Sequence, residues 1–267
     1  MHTLLCDSEA ASALKDSAVV MGLEVQRVDE AEVIVRTLEA VATGRGGWIC
    51  PVNLDVLRQT VRDPAQRDLV EQADMVVADG MPLIWASRLQ RTPLPERVSG
   101  SSLIRSLPAA GREAGASIFL LGGEPGVADA AADELRRTLP GVDVCGTLCP
   151  PFGFERFPEE LAAIEASLER TRPDIVFVGL GFPKQDRLIL RLRSRFPSIW
   201  FISCGISLSY LSGDVSRAPV WLQRAGLEWL HRLAQEPRRL ARRYLVDGFP
   251  FLARLMISAL RQRVSPA

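Results

Sequence analysis

The sequence predicts an α/β fold in which a mostly parallel sheet carries helices on both faces. Short apolar runs alternate along the chain with segments whose apolar residues recur at three- and four-residue spacing. Repeated alternation of strand and helix is typical of a parallel sheet, because each crossover helix packs back on the sheet. The chain has 267 residues, 47% of them hydrophobic, and is therefore long enough to bury the core of such a fold.

The predicted elements can be assigned in chain order. Six apolar runs are predicted as strands: Trp48–Val52, Met75–Ala78, Ser117–Leu121, Val142–Gly146, Asp174–Gly179 and Ile199–Cys204. Two intervening segments, Val127–Leu139 and Glu159–Arg170, have clear helical spacing, and Pro158 suits the first position of the second helix. This arrangement is doubly wound and Rossmann-like.

A carboxylate ends the second predicted strand, within the segment ADMVVADGMPLIW. Asp79 and Gly80 follow the apolar run Met75–Ala78 directly. In open parallel sheets, ligands bind beyond the carboxyl ends of the strands, so Asp79 is a candidate functional group. The alternative is that Asp79 caps the helix starting near Pro82, since Asp is a favoured N-cap residue.

Polar or glycine-rich turns follow three other predicted strands at the same edge. Asn53 follows the first strand, Gly122 and Gly123 follow the third in GGEPG, and Lys184 and Gln185 follow the fifth in GLGFPKQD. Backbone N–H groups of a glycine turn can approach a phosphate, lysine can pair with an anion, and glutamine can bind a sugar hydroxyl. The simpler interpretations are an ordinary turn and a solvated first turn of a helix.

Charge is unevenly distributed, although the chain carries 32 basic and 32 acidic side chains. From Arg217 to Arg263, ten arginines stand against three acidic residues, which gives this segment a net charge of +7. Apolar residues interleave with these arginines, as in amphipathic helices that meet an anionic membrane surface; the alternative is a helix pair packed on the core. We expect a core over residues 1–216 and a basic amphipathic helical appendage over residues 217–267.

Several classes of protein are disfavoured. The N-terminus lacks the apolar run of a signal peptide, and no stretch of roughly 20 apolar residues could span a bilayer, so we expect a cytoplasmic protein. Five scattered cysteines and two histidines disfavour a zinc site. The bulk of the chain is acidic and carries no recognition motif, so no nucleic-acid partner is expected.

These motifs together resemble the WecG/TagA/CpsF glycosyltransferase family. The resemblance covers roughly Val19 to Val246 and is carried by ADMVVADGMPLIW, LPERVSGSSL, IFLLGGEPGVADAAADELRRTLPG, DIVFVGLGFPKQD and RAPVWLQRAGLEWLHRLAQEPRRLARRY. It implies inverting transfer of a hexose or N-acetylhexosamine-type sugar from a UDP-sugar to a polyprenyl-diphosphate-linked saccharide, in surface-polysaccharide or teichoic-acid assembly at the inner face of the cell membrane. It implies no cofactor, and leaves open the sugar, the acceptor saccharide and a homo-oligomer.

The resemblance also implies roles for individual residues. Asp79 matches the family's proposed base, which would take the proton of the acceptor hydroxyl. Asn53 and Gln185 match polar pocket residues, and Arg97 matches a pocket arginine suited to a phosphate oxygen, with a surface ion pair to Glu96 as its alternative. The candidate substrate-binding residues are Asn53, Gly80, Arg97, Gly122, Gly123, Lys184, Gln185, Gly205, Ser209, Arg217, Arg239, Arg242 and Arg243.

The sequence departs from the family pattern at several points. Pro51 and Ser209 stand where many members have Thr and Asp, and PKQD replaces PKQE. No Asp-x-Asp motif occurs, so we expect a metal-independent enzyme in which arginines of the appendage stabilise the diphosphate.

Two other functions remain open. A non-catalytic nucleotide-sugar-binding subunit would not need Asp79. A nicotinamide-dependent oxidoreductase should show G-x-G-x-x-G after its first strand, which here ends in PVNLD.

Overall fold

The computed structural model of the protein describes residues 17–264, and a six-stranded sheet forms its centre. An antiparallel hairpin precedes the sheet and was not predicted; it consists of β1 (Ser17–Val20) and β2 (Leu23–Gln26). The sheet strands are β3 (Gly47–Val52), β4 (Met75–Ala78), β5 (Ser117–Gly122), β6 (Asp143–Leu148), β7 (Ile175–Gly179) and β8 (Trp200–Ser203). All six predicted strands are thus confirmed, whereas the expectation about a signal peptide concerns residues outside the described range.

Every strand pair in the sheet is parallel, with the order β4-β3-β8-β7-β5-β6. The carboxyl ends of all six strands therefore lie at one edge. Pro51 is tolerated in the inner strand β3 because the pairing of β3 with β8 extends only from Gly47 to Ile49. The predicted α/β, Rossmann-like class is confirmed.

Helices cover both faces of this sheet. They are α1 (Glu30–Ala42), α2 (Leu54–Arg62), α3 (Pro64–Glu71), α4 (Met81–Leu89), α5 (Gly100–Gly111), α6 (Val127–Thr138), α7 (Pro158–Thr171), α8 (Lys184–Arg195), α9 (Ser207–Ser212), α10 (Val220–Arg224), α11 (Glu228–Gln235), α12 (Pro237–Ala241) and α13 (Phe249–Val264). A π-helical stretch, Arg242–Gly248, joins α12 to α13. The predicted helices at 127–139 and 159–170 correspond to α6 and α7, and Pro158 opens α7 as expected.

Two hydrophobic clusters lie on opposite faces of the sheet. Successive residues of one strand contribute to different clusters: Trp48 belongs to one and Ile49 to the other. Phe201 and Ile202 alternate in the same way on β8. Because both faces of each strand are buried, the strands read as continuous apolar runs, which made them recognisable in the sequence.

The C-terminal helices pack directly on the core. Phe251, Leu255 and Ala259 of α13 are buried in the cluster that contains Trp48, and α13 contacts α4. Among residues 17–264, no helix combines the length and the apolar character that crossing a bilayer requires. The proposed appendage therefore shares the hydrophobic core of the domain.

Candidate active site

Asp79 lies at the carboxyl end of β4, where the chain turns into α4. Its backbone N–H donates to the carbonyl of Val52 at 2.9 Å, which extends the strand pairing by one residue. Gly80 is the N-cap residue of α4, and no side chain caps this helix. The alternative that Asp79 is a helix cap is therefore wrong, and no described side chain hydrogen-bonds its carboxylate.

Two arginines and one glutamate form an ion-pair bridge beside Asp79. Arg97 Nη1 donates to Glu228 Oε2 at 2.8 Å, and Arg217 Nε lies 3.6 Å from Glu228 Oε1. Arg217 also donates through Nη1 to the carbonyl of Ser101 at 3.2 Å. The alternative interpretation, a surface ion pair between Arg97 and Glu96, is therefore wrong. The bridge instead joins the core to the C-terminal helices.

The position of Arg97 is fixed by the turn that follows it. Ser99 is the N-cap of α5, and its hydroxyl accepts from the backbone N–H of Ser102 at 3.1 Å. A Cβ on Gly100 would lie 2.9 Å from the Cα of Cys204, so this helix start approaches the end of β8 closely. The RVSG sequence thus sets Arg97 against the carboxyl edge of the sheet.

The pKa of the Asp79 carboxyl is higher in the folded protein than in water. Burial raises its pKa from 3.8 to about 6, an effect that Arg97 opposes and Glu228 reinforces. Arg217 and Arg232 also lower this pKa. A carboxylate that titrates near neutral pH is suited to accept a proton during catalysis.

Three residues of this site were not among the sequence-predicted candidates: Glu228, Arg232 and Tyr210. Arg232 lies with its guanidinium carbon 5.9 Å from the centre of the Tyr210 ring, and its buried Nε has no hydrogen-bond partner among the described residues. Burial raises the pKa of Tyr210 to about 12, so its phenol is neutral at physiological pH. The sequence signal for Glu228 and Arg232 was their spacing, because residues four apart lie on the same face of a helix and can reach one site.

Asn53 neighbours this site and caps the next helix. Its Oδ1 accepts from the backbone N–H groups of Asp55 and Val56 at 3.0 and 3.1 Å, which satisfies the start of α2. A Cβ on Gly80 would lie 3.9 Å from the Cα of Asn53, so the two strand ends are adjacent. Arg243 from the C-terminal region pairs with Asp55 at 3.0 Å. The capping function therefore engages the amide oxygen of Asn53.

The PKQD segment joins two loops at the strand ends. Gln185 is buried, and its Oε1 accepts from the backbone N–H groups of Gly181 and Gly205, both at 3.1 Å. Gln185 thereby holds the turns after β7 and β8 together. Lys184 instead pairs with Glu155 at 3.1 Å, and its Nζ lies 4.6 Å from the centre of the exposed ring of Phe152.

The GGEPG turn is shaped by backbone packing. A Cβ on Gly122 would lie 2.5 Å from the carbonyl oxygen of Gly179, and Gly122 has a φ of +115°. The N–H of Gly123 donates to that same carbonyl at 3.0 Å. Close approach of β5 to β7 therefore accounts for Gly122, whereas a Cβ on Gly123 would lie 2.8 Å from Val127 Cγ1 on α6. The Gly123 amide is already engaged.

The remaining candidates lie apart from the ion-pair bridge or make other contacts. Ser209 is buried in α9, and its carbonyl accepts from the backbone N–H of Val215. Arg239 pairs with Glu236 on an exposed part of α12, and Arg242 is exposed. The structure therefore brings together Asp79, Arg97 and Arg217, with Asn53, Gly80 and Arg243 at adjoining positions.

The described residues offer no obvious metal ligands. Within residues 17–264, no group of three or more His, Cys, Asp or Glu side chains is arranged to hold a metal ion. Metal independence stays a prediction.

Comparison with known proteins identifies relatives of this chain. A family model described as "Glycosyl transferase WecG/TagA/CpsF family" matches residues 18–265. A protein of Bacillus subtilis (strain 168) is 28% identical over 197 residues, covering 74% of this chain and 75% of the relative. It is named N-acetylglucosaminyldiphosphoundecaprenol N-acetyl-beta-D-mannosaminyltransferase.

Two further relatives carry the same name. The protein of Bacillus spizizenii is 29% identical over 198 residues, which is 74% of this chain and 75% of the relative. That of Staphylococcus aureus (strain MW2) is 25% identical over 225 residues, which is 84% of this chain and 86% of the relative. The match spans nearly the whole fold, and the oxidoreductase alternative loses its support.

Proposed function

Because the chain belongs to the WecG/TagA/CpsF glycosyltransferase family, we propose that it moves a hexose or N-acetylhexosamine-type sugar from a UDP-sugar to a polyprenyl-diphosphate-linked saccharide, with inversion at the anomeric carbon. The single observation that carries the proposal is the Asp79 carboxylate, which has a raised pKa and lies in the field of three arginines. The names of the relatives support a lipid-diphosphate acceptor and an N-acetylmannosamine donor.

The proposed reaction is a single displacement. Asp79 accepts the proton of the acceptor hydroxyl while the hydroxyl oxygen forms a bond to the anomeric carbon of the donor sugar. The bond between that carbon and the phosphate oxygen breaks, and UDP leaves with the bonding electrons. Arg97, Arg217 and Arg232 supply positive charge where the leaving diphosphate gains negative charge.

The C-terminal region supplies part of this site and, we propose, a contact with an anionic membrane surface. Trp221 and Val246 are 66% and 65% exposed, although both are large and apolar. Exposed arginines such as Arg238 and Arg242 lie in the same region. Interfacial apolar residues combined with basic side chains are typical of peripheral attachment to anionic lipid.

Vesicle binding tests the membrane part of the proposal. Full-length protein should sediment with vesicles that contain phosphatidylserine and remain in solution with pure phosphatidylcholine vesicles. Binding should weaken as salt rises, since each basic residue near the surface contributes about 1 kcal/mol before screening. Equal binding to both kinds of vesicle, or none at low salt, would contradict membrane recognition by charge.

Release of UDP by the purified protein tests the catalytic part. The assay uses a panel of UDP-sugars and a water-soluble lipid-diphosphate acceptor analogue. We expect acceptor-dependent release with one or a few sugars and a loss of roughly 10²-fold or more in Asp79→Asn. Donor binding without release, at every sugar tested, would favour the non-catalytic binding subunit.

A further inference from the structure

Glu228 is the centre of the ion-pair bridge beside Asp79. One carboxylate oxygen accepts from Arg97 at 2.8 Å, and the other lies 3.6 Å from Arg217. The side chains of Arg97 and Glu228 are only 21% and 18% exposed, so their attraction is less screened than that of a surface pair. Glu228 therefore hydrogen-bonds one guanidinium group and forms a longer ion pair with a second one.

The same bridge determines which carboxylate Arg97 contacts. Asp79 also lies in the electrostatic field of Arg97, which lowers the pKa of its carboxyl. A guanidinium that pairs with a catalytic base makes that base weaker, because the pair stabilises the ionised carboxylate. In the structure Arg97 hydrogen-bonds Glu228, and no described side chain hydrogen-bonds the Asp79 carboxylate.

We propose that Glu228 is a positioning residue, which hydrogen-bonds Arg97, forms an ion pair with Arg217 and keeps Arg97 from pairing with Asp79. The inference deepens the proposed function and rests on it for its catalytic consequence. Glu228 does not touch the reacting atoms; it acts through the two arginines and through its own charge.

The charged neighbours of Asp79 define what removal of Glu228 should do. Arg97 comes from the segment before α5, Arg217 from the segment before α10, and Glu228 and Arg232 from α11. Without the charge of Glu228, three cations would face Asp79 with no competing carboxylate. Arg97 would then turn to Asp79, lowering its proton affinity and masking the base.

The direct test measures the titration of Asp79 in the substrate-free protein. Carbon NMR of protein labelled at the aspartate side-chain carboxyls identifies Asp79 as the resonance absent in Asp79→Asn. In Glu228→Gln, which keeps the size and one acceptor oxygen, we expect the midpoint of this resonance to fall by about one pH unit. Glu134→Gln is the matched control, because Glu134 also accepts from an arginine, Arg137, but on the exposed surface of α6.

The kinetic test follows the same variants across pH. Glu228→Gln should move the acid limb of kcat to lower pH and reduce kcat at pH 8 by about 3- to 10-fold, since a less basic carboxylate is a weaker general base. Glu134→Gln should change neither quantity. Thermal melting of each variant reports whether it is folded, and Glu228→Asp provides a second variant that keeps the charge.

The outcomes are distinguishable. An Asp79 midpoint in Glu228→Gln equal to that of the wild type overturns the proposal, as does a fall in kcat without movement of the acid limb. If the wild type releases no UDP with any donor, the proposed function fails, while the NMR midpoint still decides whether Glu228 controls Asp79.

Discussion

Replacing Asp79 by asparagine should stabilise the protein while it abolishes most turnover. Folding raises the pKa of this carboxyl from 3.8 to about 6, so keeping it ionised in the folded state costs free energy. At about 1.36 kcal/mol per pKa unit the cost approaches 3 kcal/mol, and solvent contact of this partly buried group reduces it to about 1–2 kcal/mol. Asparagine keeps the shape and carries no charge, so it escapes this cost.

The sign of the effect depends on pH in a defined way. Below pH 3.8 the carboxyl is neutral in both folded and unfolded protein, and Asp79→Asn should change stability little. The stabilisation should develop as the pH rises to about 6 and stay constant above that value. Urea unfolding at pH 4 and pH 7.5 measures it, with the exposed Asp68→Asn on α3 as the control. No gain at pH 7.5 would refute a desolvated carboxylate at this position.

Three further predictions follow from the same structure. UDP release should fall about tenfold between pH 7 and pH 5, because protonation of Asp79 near pH 6 removes the base; a flat profile over this range would exclude that assignment. Arg97→Ala should lower kcat by roughly 10-fold or more through lost stabilisation of the leaving diphosphate, and an unchanged rate would remove Arg97 from the reaction. Leu255→Ala should cost about 2–5 kcal/mol in unfolding free energy because Leu255 is buried, whereas the half-exposed Leu260 should tolerate the same change within about 0.5 kcal/mol; equal costs would contradict the packing of α13 on the core.

The sheet could be predicted because its strands are buried on both faces. Apolar runs such as Met75–Ala78 are continuous, and strand-end residues such as Asp79 interrupt them sharply. Parallel pairing then places all strand ends at one edge, so the neighbourhood of Asp79 and Asn53 follows from topology. Burial of the strands and their parallel pairing therefore suffice to predict the sheet and the positions of its strand ends.

The hairpin and the tail contacts were harder to predict. The strands of the hairpin have four residues each, and Met21 and Gly22 form its turn with φ values of 53° and 84°. A two-residue turn ending in glycine is a recognised hairpin signal, but such short strands give little periodicity. The pairing of Arg97 with Glu228 joins residues 131 positions apart, and local pattern carries no information on such a partner.

Only the structure distinguishes the motif residues that serve packing from those that are free to contact a substrate. Gly122 fits close backbone packing, Gly123 lies against the Val127 side chain, and the Gln185 side chain links two loops. In the sequence, the glycine turn is a weak signal for a ligand and Gln185 also fits a solvated first turn, whereas the family resemblance favours a phosphate contact for Arg97. Their separate functions depend on which backbone groups lie within hydrogen-bonding distance, which the sequence does not specify.

The configuration of the transferred sugar is the most direct test of the account. Proton NMR of the purified product, made from a UDP-α-sugar and the lipid-diphosphate acceptor analogue, reports both the new glycosidic bond and its anomeric form. A single displacement with Asp79 as base predicts one added sugar in β linkage, and roughly 10²-fold slower formation in Asp79→Asn. An α-linked product, or UDP release with no sugar on the acceptor, would contradict it.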